Sequence, residues 1–166
     1  MATEAPIAIR IATAEDSDTL HSLLHALAES LRQDEKLTAC HEDLRRYGFS
    51  SAPTFRALLA LRGEDALGMC IFFPTFSTWR GEPGIYVQDL YVADRARGQR
   101  LGRRLLAAAA AEGAREHGAT HMRLAVDVNN EDAQAFYAAV GLRARSDEMT
   151  FQIDGAAYNL LKDDPQ

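Results

Sequence analysis

The chain has 166 residues, 47% of them hydrophobic and 25% charged, and its net charge is −6. A chain of this length makes one ordinary domain that buries roughly 70% of its unfolded surface, so it needs no disulfide framework and no structural metal. The composition excludes a disordered tail, a collagen-like repeat and a coiled coil, and the acidic balance favours cationic small molecules over nucleic acid.

The expected organisation is therefore a single domain over 1–166. No apolar run approaches the ~20 residues of a membrane span. Met1–Pro6 is acidic and lacks the basic and apolar regions of a signal peptide. Cys40 and Cys70 have no metal-ligand spacing, so no metal and a reducing, cytoplasmic setting are expected.

In chain order, Ile7–Ile11 alternates like a strand. Thr13 and Asp16 form a capping-box signal, and Leu20, Leu23, Leu24, Leu27 and Leu31 then recur at helical spacing to about Asp34. A short helix is predicted over His41–Tyr47, closed by Gly48. Phe55–Leu61 and Ala66–Phe76 read as a hairpin turning at Gly63-Glu64-Asp65. Trp79–Gly84 reads as loop, Ile85–Val92 as a strong strand, and Gln99–His117 as a helix ended by Gly118. Met122–Val128 reads as a strand. Asn130 caps a helix over Glu131–Val140, with Gly141 at its end. Met149–Ile153 and Ala157–Leu161 flank Asp154-Gly155, a hairpin signal. The order of elements excludes a purely parallel doubly wound sheet.

The sharpest local feature is the run 95–104, Arg95-Ala96-Arg97-Gly98-Gln99-Arg100-Leu101-Gly102-Arg103-Arg104. Its arginines gather at a predicted helix N-terminus, where the macrodipole disfavours cations and welcomes an anion. Free amides at a helix start suit a phosphate, and glycines let it approach. The patterns of the P-loop and of the dinucleotide-binding turn are both absent. The reading is a phosphate or pyrophosphate site at a strand–loop–helix junction, set against a solvated arginine face.

These residues resemble a family. Arg97-Gly98-x-x-x-Gly102, after the strand Tyr86–Val92, is similar to the acyl-CoA-binding motif of the GNAT N-acetyltransferases. Arg97 and Gly102 match the ends of that motif, while Arg100 stands where a middle glycine is usual. Asn130-x-x-Ala133-x-x-Phe136-Tyr137, followed by Gly141, resembles the family's next strand–helix unit. The stretches Asp43–Phe49, Phe72–Gly81 and Gln88–Val92 look like the diamine and polyamine branch, whose members act on spermidine, spermine or thialysine. That branch often carries Glu-Asp where this chain has Gln88-Asp89. The implied fold is α/β (α+β), the GNAT acyl-CoA N-acyltransferase fold, with a mixed central sheet of about seven strands flanked by about four helices.

Acetyl transfer to an amine requires a deprotonated nitrogen, a polarised thioester carbonyl and a stable leaving thiolate. The resemblance implies acetyl-CoA as cosubstrate and Tyr137 as the acid that protonates the thiolate. Asp89 is the carboxylate either for base or cation-anchor duty or for holding a loop by hydrogen bonds from the strand, and Gln88 can position a water. Ordered water alone is an alternative route for the proton. On a regular strand only one of Gln88 and Asp89 can face a given side. The Tyr91 amide is the implied oxyanion donor, with Leu90 and Val92 along the pantetheine arm. Amides of Gly98, Gln99, Arg100, Leu101 and Gly102 would hold the pyrophosphate beside Arg97, with Arg103 or Arg104 at the 3′-phosphate. Asn130 and Tyr137 complete the implied cofactor set. Trp79 is either a substrate-covering side chain or a loop anchor in the core. Glu29, Asp34 and Glu35 are candidate counter-charges for a distal ammonium.

The expected activity is acetyl transfer to a primary amine of a small cationic acceptor, such as a polyamine or thialysine. A protein or peptide amine, an aminoglycoside, or a non-catalytic acyl-CoA-binding role are the alternatives. A homodimer is also implied, with no nucleic-acid or membrane partner.

Overall fold

Alternating apolar side chains produce four long-range strands in the first two thirds of the chain. These are β1 (Ala8–Ile11), β2 (Arg56–Arg62), β3 (Asp65–Ser77) and β4 (Glu82–Val92), with β5 (His121–Leu124) after them. They form one mixed sheet in the order β1-β2-β3-β4-β5. The computed structural model describes residues 5–164. Met1–Glu4, most of the acidic N-terminal segment read above, lie outside the described residues.

Neighbouring strands are antiparallel from β1 to β4, and β5 runs parallel to β4. The β2–β3 hairpin turns through Gly63 at φ +61°, a left-handed conformation that favours glycine. The helices are α1 (Ser17–Ser30), α2 (His41–Gly48), α3 (Leu101–His117), α4 (Glu131–Val140) and α5 (Gly155–Lys162). The chain divides into two compact units, Met1–Ala125 and Val126–Gln166. Among the described residues no helix is long and apolar enough to cross a membrane.

In the first unit the sheet is covered on both faces. Leu20, Leu23 and Leu24 of α1 and Leu44 of α2 pack with Ala57, Leu59, Met69 and Ile71 on one face. Successive strand residues point to opposite faces, so Leu58, Cys70 and Phe72 are buried on the other, where α3 lies with Leu101, Leu105 and Ala109. The Thr13 capping box forms, its amide donating to the Asp16 carboxylate at 2.7 Å. Both Asp16 oxygens also accept from Arg10, at 2.7 and 2.8 Å. That guanidinium holds the Asp16 carboxyl down at about 2.

The structure corrects several expectations. The sheet has five strands among the described residues rather than seven, and there are five α-helices rather than four. The missing strands are the C-terminal pair. Residues 149–153 are irregular and exposed, and the chain from Gly155 onward is helical. Ala156, Ala157, Leu160 and Leu161 are strong helix formers, and Asp154 sits at the N-cap position, so helix propensity overrides the hairpin signal of Asp154-Gly155. The strand expected over Met122–Val128 ends at Leu124, because its parallel ladder on β4 stops at Val87. The first helix ends at Ser30, short of Asp34, where Arg32 takes φ +55°.

Candidate active site

The ladder between β3 and β4 carries one irregularity that shapes everything around it. Ile71 pairs with Asp89 and Phe72 pairs with Val87, so Gln88 is an extra residue in β4. Such a bulge breaks the strict alternation of side chains and re-aims the residues beside it. The expectation that only one of Gln88 and Asp89 faces a given side therefore fails. Both line the same cavity, of about 540 Å³.

That cavity is built by elements of the first unit. Leu24 of α1, Leu44 of α2 and Leu37 from the connection between them form one wall. Phe55, Ile71 and Phe73 form another, and Phe73 stacks on Tyr86 with ring centroids 5.2 Å apart. Asp89 is half-buried, and its carboxylate has no hydrogen-bond or ion-pair partner among the described residues. Burial pushes its pKa above the usual carboxylate value. Cys70, its neighbour on β3, is fully buried; burial, and then the Asp89 charge, push that thiol up to about 12. A thiol so rarely ionised is not a nucleophile at neutral pH.

The bulge also coincides with the end of the parallel ladder. β5 pairs with β4 only over Gly84–Val87, so Leu90, Tyr91 and Val92 have no strand partner on that side among the described residues. Alternate main-chain N–H groups along such an edge are free to meet a ligand. The opposite side of this segment is packed tightly. A Cβ added at Gly68 would stand 2.6 Å from the Tyr91 carbonyl oxygen and 3.2 Å from Leu105. Gly68→Ala must therefore push this edge outward. We expect a loss of about 1–3 kcal/mol in urea unfolding, together with weakened CoA binding in calorimetric titration.

The chain leaves β4 through a short 3₁₀ turn (Asp94–Ala96) into the arginine-rich segment. Gly98 has φ +76° and open space around its α-carbon. Arg100 has φ +56° and precedes the first residue of α3. The first main-chain bond of the helix runs from the Arg104 amide to the Arg100 carbonyl at 3.1 Å, which leaves the amides of Leu101, Gly102 and Arg103 without helical acceptors. The arginines divide by partner. Arg95 donates to Asp65 at 2.5 Å, Arg97 pairs with Asp94 at 2.9 Å, and Arg104 donates to the Ile7 carbonyl at 2.7 Å. Arg104 is thereby committed within the protein. Gln99 accepts from Arg62 at 3.2 Å. Arg100 and Arg103 are exposed with no such partner. Free amides, a left-handed turn and two uncommitted guanidiniums fit a polyphosphate.

The positive φ of Arg100 gives a physical reason for a glycine at that position of the motif. Arg100→Gly should relieve left-handed strain that outweighs the added chain entropy. The expected gain is about 0.5–1 kcal/mol, read as a higher urea midpoint at unchanged slope.

Two further candidates of the first unit, Trp79 and Glu29, do not line the cavity. Trp79 is fully exposed at 100%, which removes its reading as a core anchor, and it does not line the cavity. Glu29 is exposed on α1, 3.4 Å from His25 Nδ1, and does not line it either. In the second unit the Asn130 side chain accepts the Ala133 amide at 3.1 Å as the N-cap of α4. Tyr137 is half-buried beside Phe136, with ring centroids 5.2 Å apart. Sequence reasoning missed Leu24, Leu37, Leu44, Phe55 and Phe73 as cavity walls. Their spacing is that of ordinary core residues and carries no separate signal.

Comparison with known proteins adds four findings. A model of the acetyltransferase (GNAT) family matches residues 20–142. The chain is 32% identical over 155 residues to the thialysine N-epsilon-acetyltransferase of Caenorhabditis elegans, covering 92% of this chain and 94% of that one. It is 32% identical over 142 residues to the aminoalkylphosphonate N-acetyltransferase of Salmonella typhimurium, covering 81% and 84%. In fold it is similar to an integron cassette protein of V. cholerae, with a TM-score of 0.78, 20% identity, and coverage of 98% of this chain and 100% of that one.

Proposed function

Because the chain belongs to the GNAT family of acetyl-CoA-dependent N-acetyltransferases, we propose that it transfers the acetyl group directly to the primary amine of a small cationic acceptor. The single observation that carries this is the bulge at Gln88, which brings Asp89 to a mostly apolar cavity beside an unpaired strand edge.

Asp89 receives the acceptor's proton or holds its ammonium in place. Its carboxylate suits either role, because it is half-buried, lacks a protein partner, and titrates above the usual range. Gln88 positions the amine or a water by hydrogen bonding. Free amides among Leu90, Tyr91 and Val92 hold the thioester carbonyl and the pantetheine arm. Amides from Gly98 to Arg103, with Arg97, Arg100 and Arg103, hold the pyrophosphate. Acetyl-CoA supplies the activated acyl group; the chain orients it and manages protons. Tyr137 protonates the leaving thiolate, and Asn130 orders the start of the helix that carries it. Direct attack is favoured over a covalent acyl-enzyme because Cys70 is buried and its thiol lies at about 12.

The small-amine reading is supported by the relatives that act on thialysine and on aminoalkylphosphonates. A homodimer belongs to the same proposal, supported by exposed Phe151, Leu160 and Leu161. The test is CoA thiol release from acetyl-CoA over a panel of alkylamines, diamines, thialysine, an aminoglycoside and a short peptide. Release with small amines, accompanied by a product heavier by one acetyl group, is the expected result. Release with the peptide alone would overturn the small-acceptor reading.

A further inference from the structure

Among the described residues, Asp89 is the one ionisable residue that lines the β4 cavity. The other polar side chains there are Gln88 and Thr54, and the remaining lining is apolar. Among the described residues no basic side chain and no second acid lines it, so a carboxylate or phosphonate on an acceptor finds no counter-charge there.

The acids on the neighbouring helices do not line the cavity. Glu29 pairs with His25 at 3.4 Å, and Asp18 with His41 at 3.6 Å. Glu42 pairs with the same His41 at 3.0 Å. The Asp43 carboxylate accepts from the Cys40 amide at 3.0 Å and from its thiol at 3.2 Å. Asp34 and Glu35 are exposed and do not line the cavity. A second ammonium entering among Leu24, Leu44, Phe55 and Phe73 would lose its water and gain no partner, which is strongly unfavourable.

We infer that the acceptor is a primary amine with one positive charge on an alkyl or aryl-alkyl body, its nitrogen at Asp89 and its body along Leu24, Leu44, Phe55 and Phe73. This rests on the acetyl-transfer reading above. A volume of about 540 Å³ lies within the range of small-ligand sites, roughly 300–1,000 Å³. Aromatic rings on one wall and branched chains on the other suit such a body, and a single carboxylate selects for a single cation.

The test compares hexylamine with 1,5-diaminopentane, which have the same number of heavy atoms and differ in one terminal group. 2-Phenylethylamine, spermidine and thialysine complete the series. The expected kcat/KM for hexylamine exceeds that for 1,5-diaminopentane by about 100-fold, mostly through KM. Leu37→Glu places a second carboxylate at the half-buried edge of the cavity and should narrow that gap by about tenfold. Equal or better use of the diamine would overturn the inference, as would an unchanged gap in Leu37→Glu with its melting temperature retained. Silence on every amine would overturn the small-acceptor reading above, and this inference with it. Preference for the diamine would overturn this inference alone.

Discussion

Asp89→Asn is expected to lower kcat/KM for a small amine by about 100-fold, the lower end of what a positioned acid–base group contributes. The asparagine keeps the shape and can still accept one hydrogen bond, but it can neither take a proton nor balance an ammonium. The pH dependence follows from the direction of the Asp89 shift. Burial raises the pKa, so the carboxylate becomes protonated at a higher pH than an exposed aspartate. Wild-type activity should therefore fall on an acid limb displaced upward from the ordinary aspartate range, and Asp89→Asn should lack that limb. Stability should move the other way. A folded pKa above the unfolded one means that the native state prefers the protonated form. The group's stabilising contribution is present below the unfolded pKa and is lost as pH rises through the folded pKa. At neutral pH the buried charge thus destabilises the fold, and Asp89→Asn should raise the urea midpoint while activity drops. A variant that loses activity and stability together would instead mark Asp89 as a structural residue.

Tyr137→Phe is expected to lower kcat by about 100-fold while CoA binding stays within a factor of about 2. The ring is half-buried beside Phe136 on α4, so phenylalanine preserves its packing and removes only the hydroxyl. The leaving thiolate then departs without a proton donor. Single-turnover rates read the loss, and calorimetric titration with CoA reads the retained affinity. Full turnover in the variant would assign Tyr137 to packing and leave proton delivery to water.

Much of the first unit is legible in the sequence because its signals are local. The capping box of Thr13 and Asp16, the leucine spacing of α1 and the hairpin at Gly63 all form as read. The α4 bounds match the expected span, with Asn130 at the N-cap and Gly141 at φ +111°. The arginine-rich helix start was legible for the same reason. The bulge at Gln88 was not, since it depends on where β3 residues fall against β4 and has no composition of its own. It shapes the proposed site, because both Gln88 and Asp89 line one cavity. The C-terminal segment shows the opposite failure. Asp154-Gly155 is a strong hairpin dipeptide, yet no strand forms beside it, and the alanine- and leucine-rich stretch after it coils into α5. Trp79 and Glu29 stand out in the sequence by residue type and by place, in the loop before β4 and near the end of the first helix, and geometry leaves both outside the cavity walls.

The decisive measurement is a calorimetric titration with a conjugate that joins hexylamine nitrogen through an acetyl bridge to the sulfur of CoA. Such a molecule holds both halves of the reaction at once. If the amine and the acyl group meet at the Asp89 cavity, the conjugate should bind at least about 100-fold more tightly than CoA, a gain carried by its hexyl chain among Leu24, Leu44, Phe55 and Phe73. Equal affinity for the conjugate and for CoA would contradict direct transfer in this cavity.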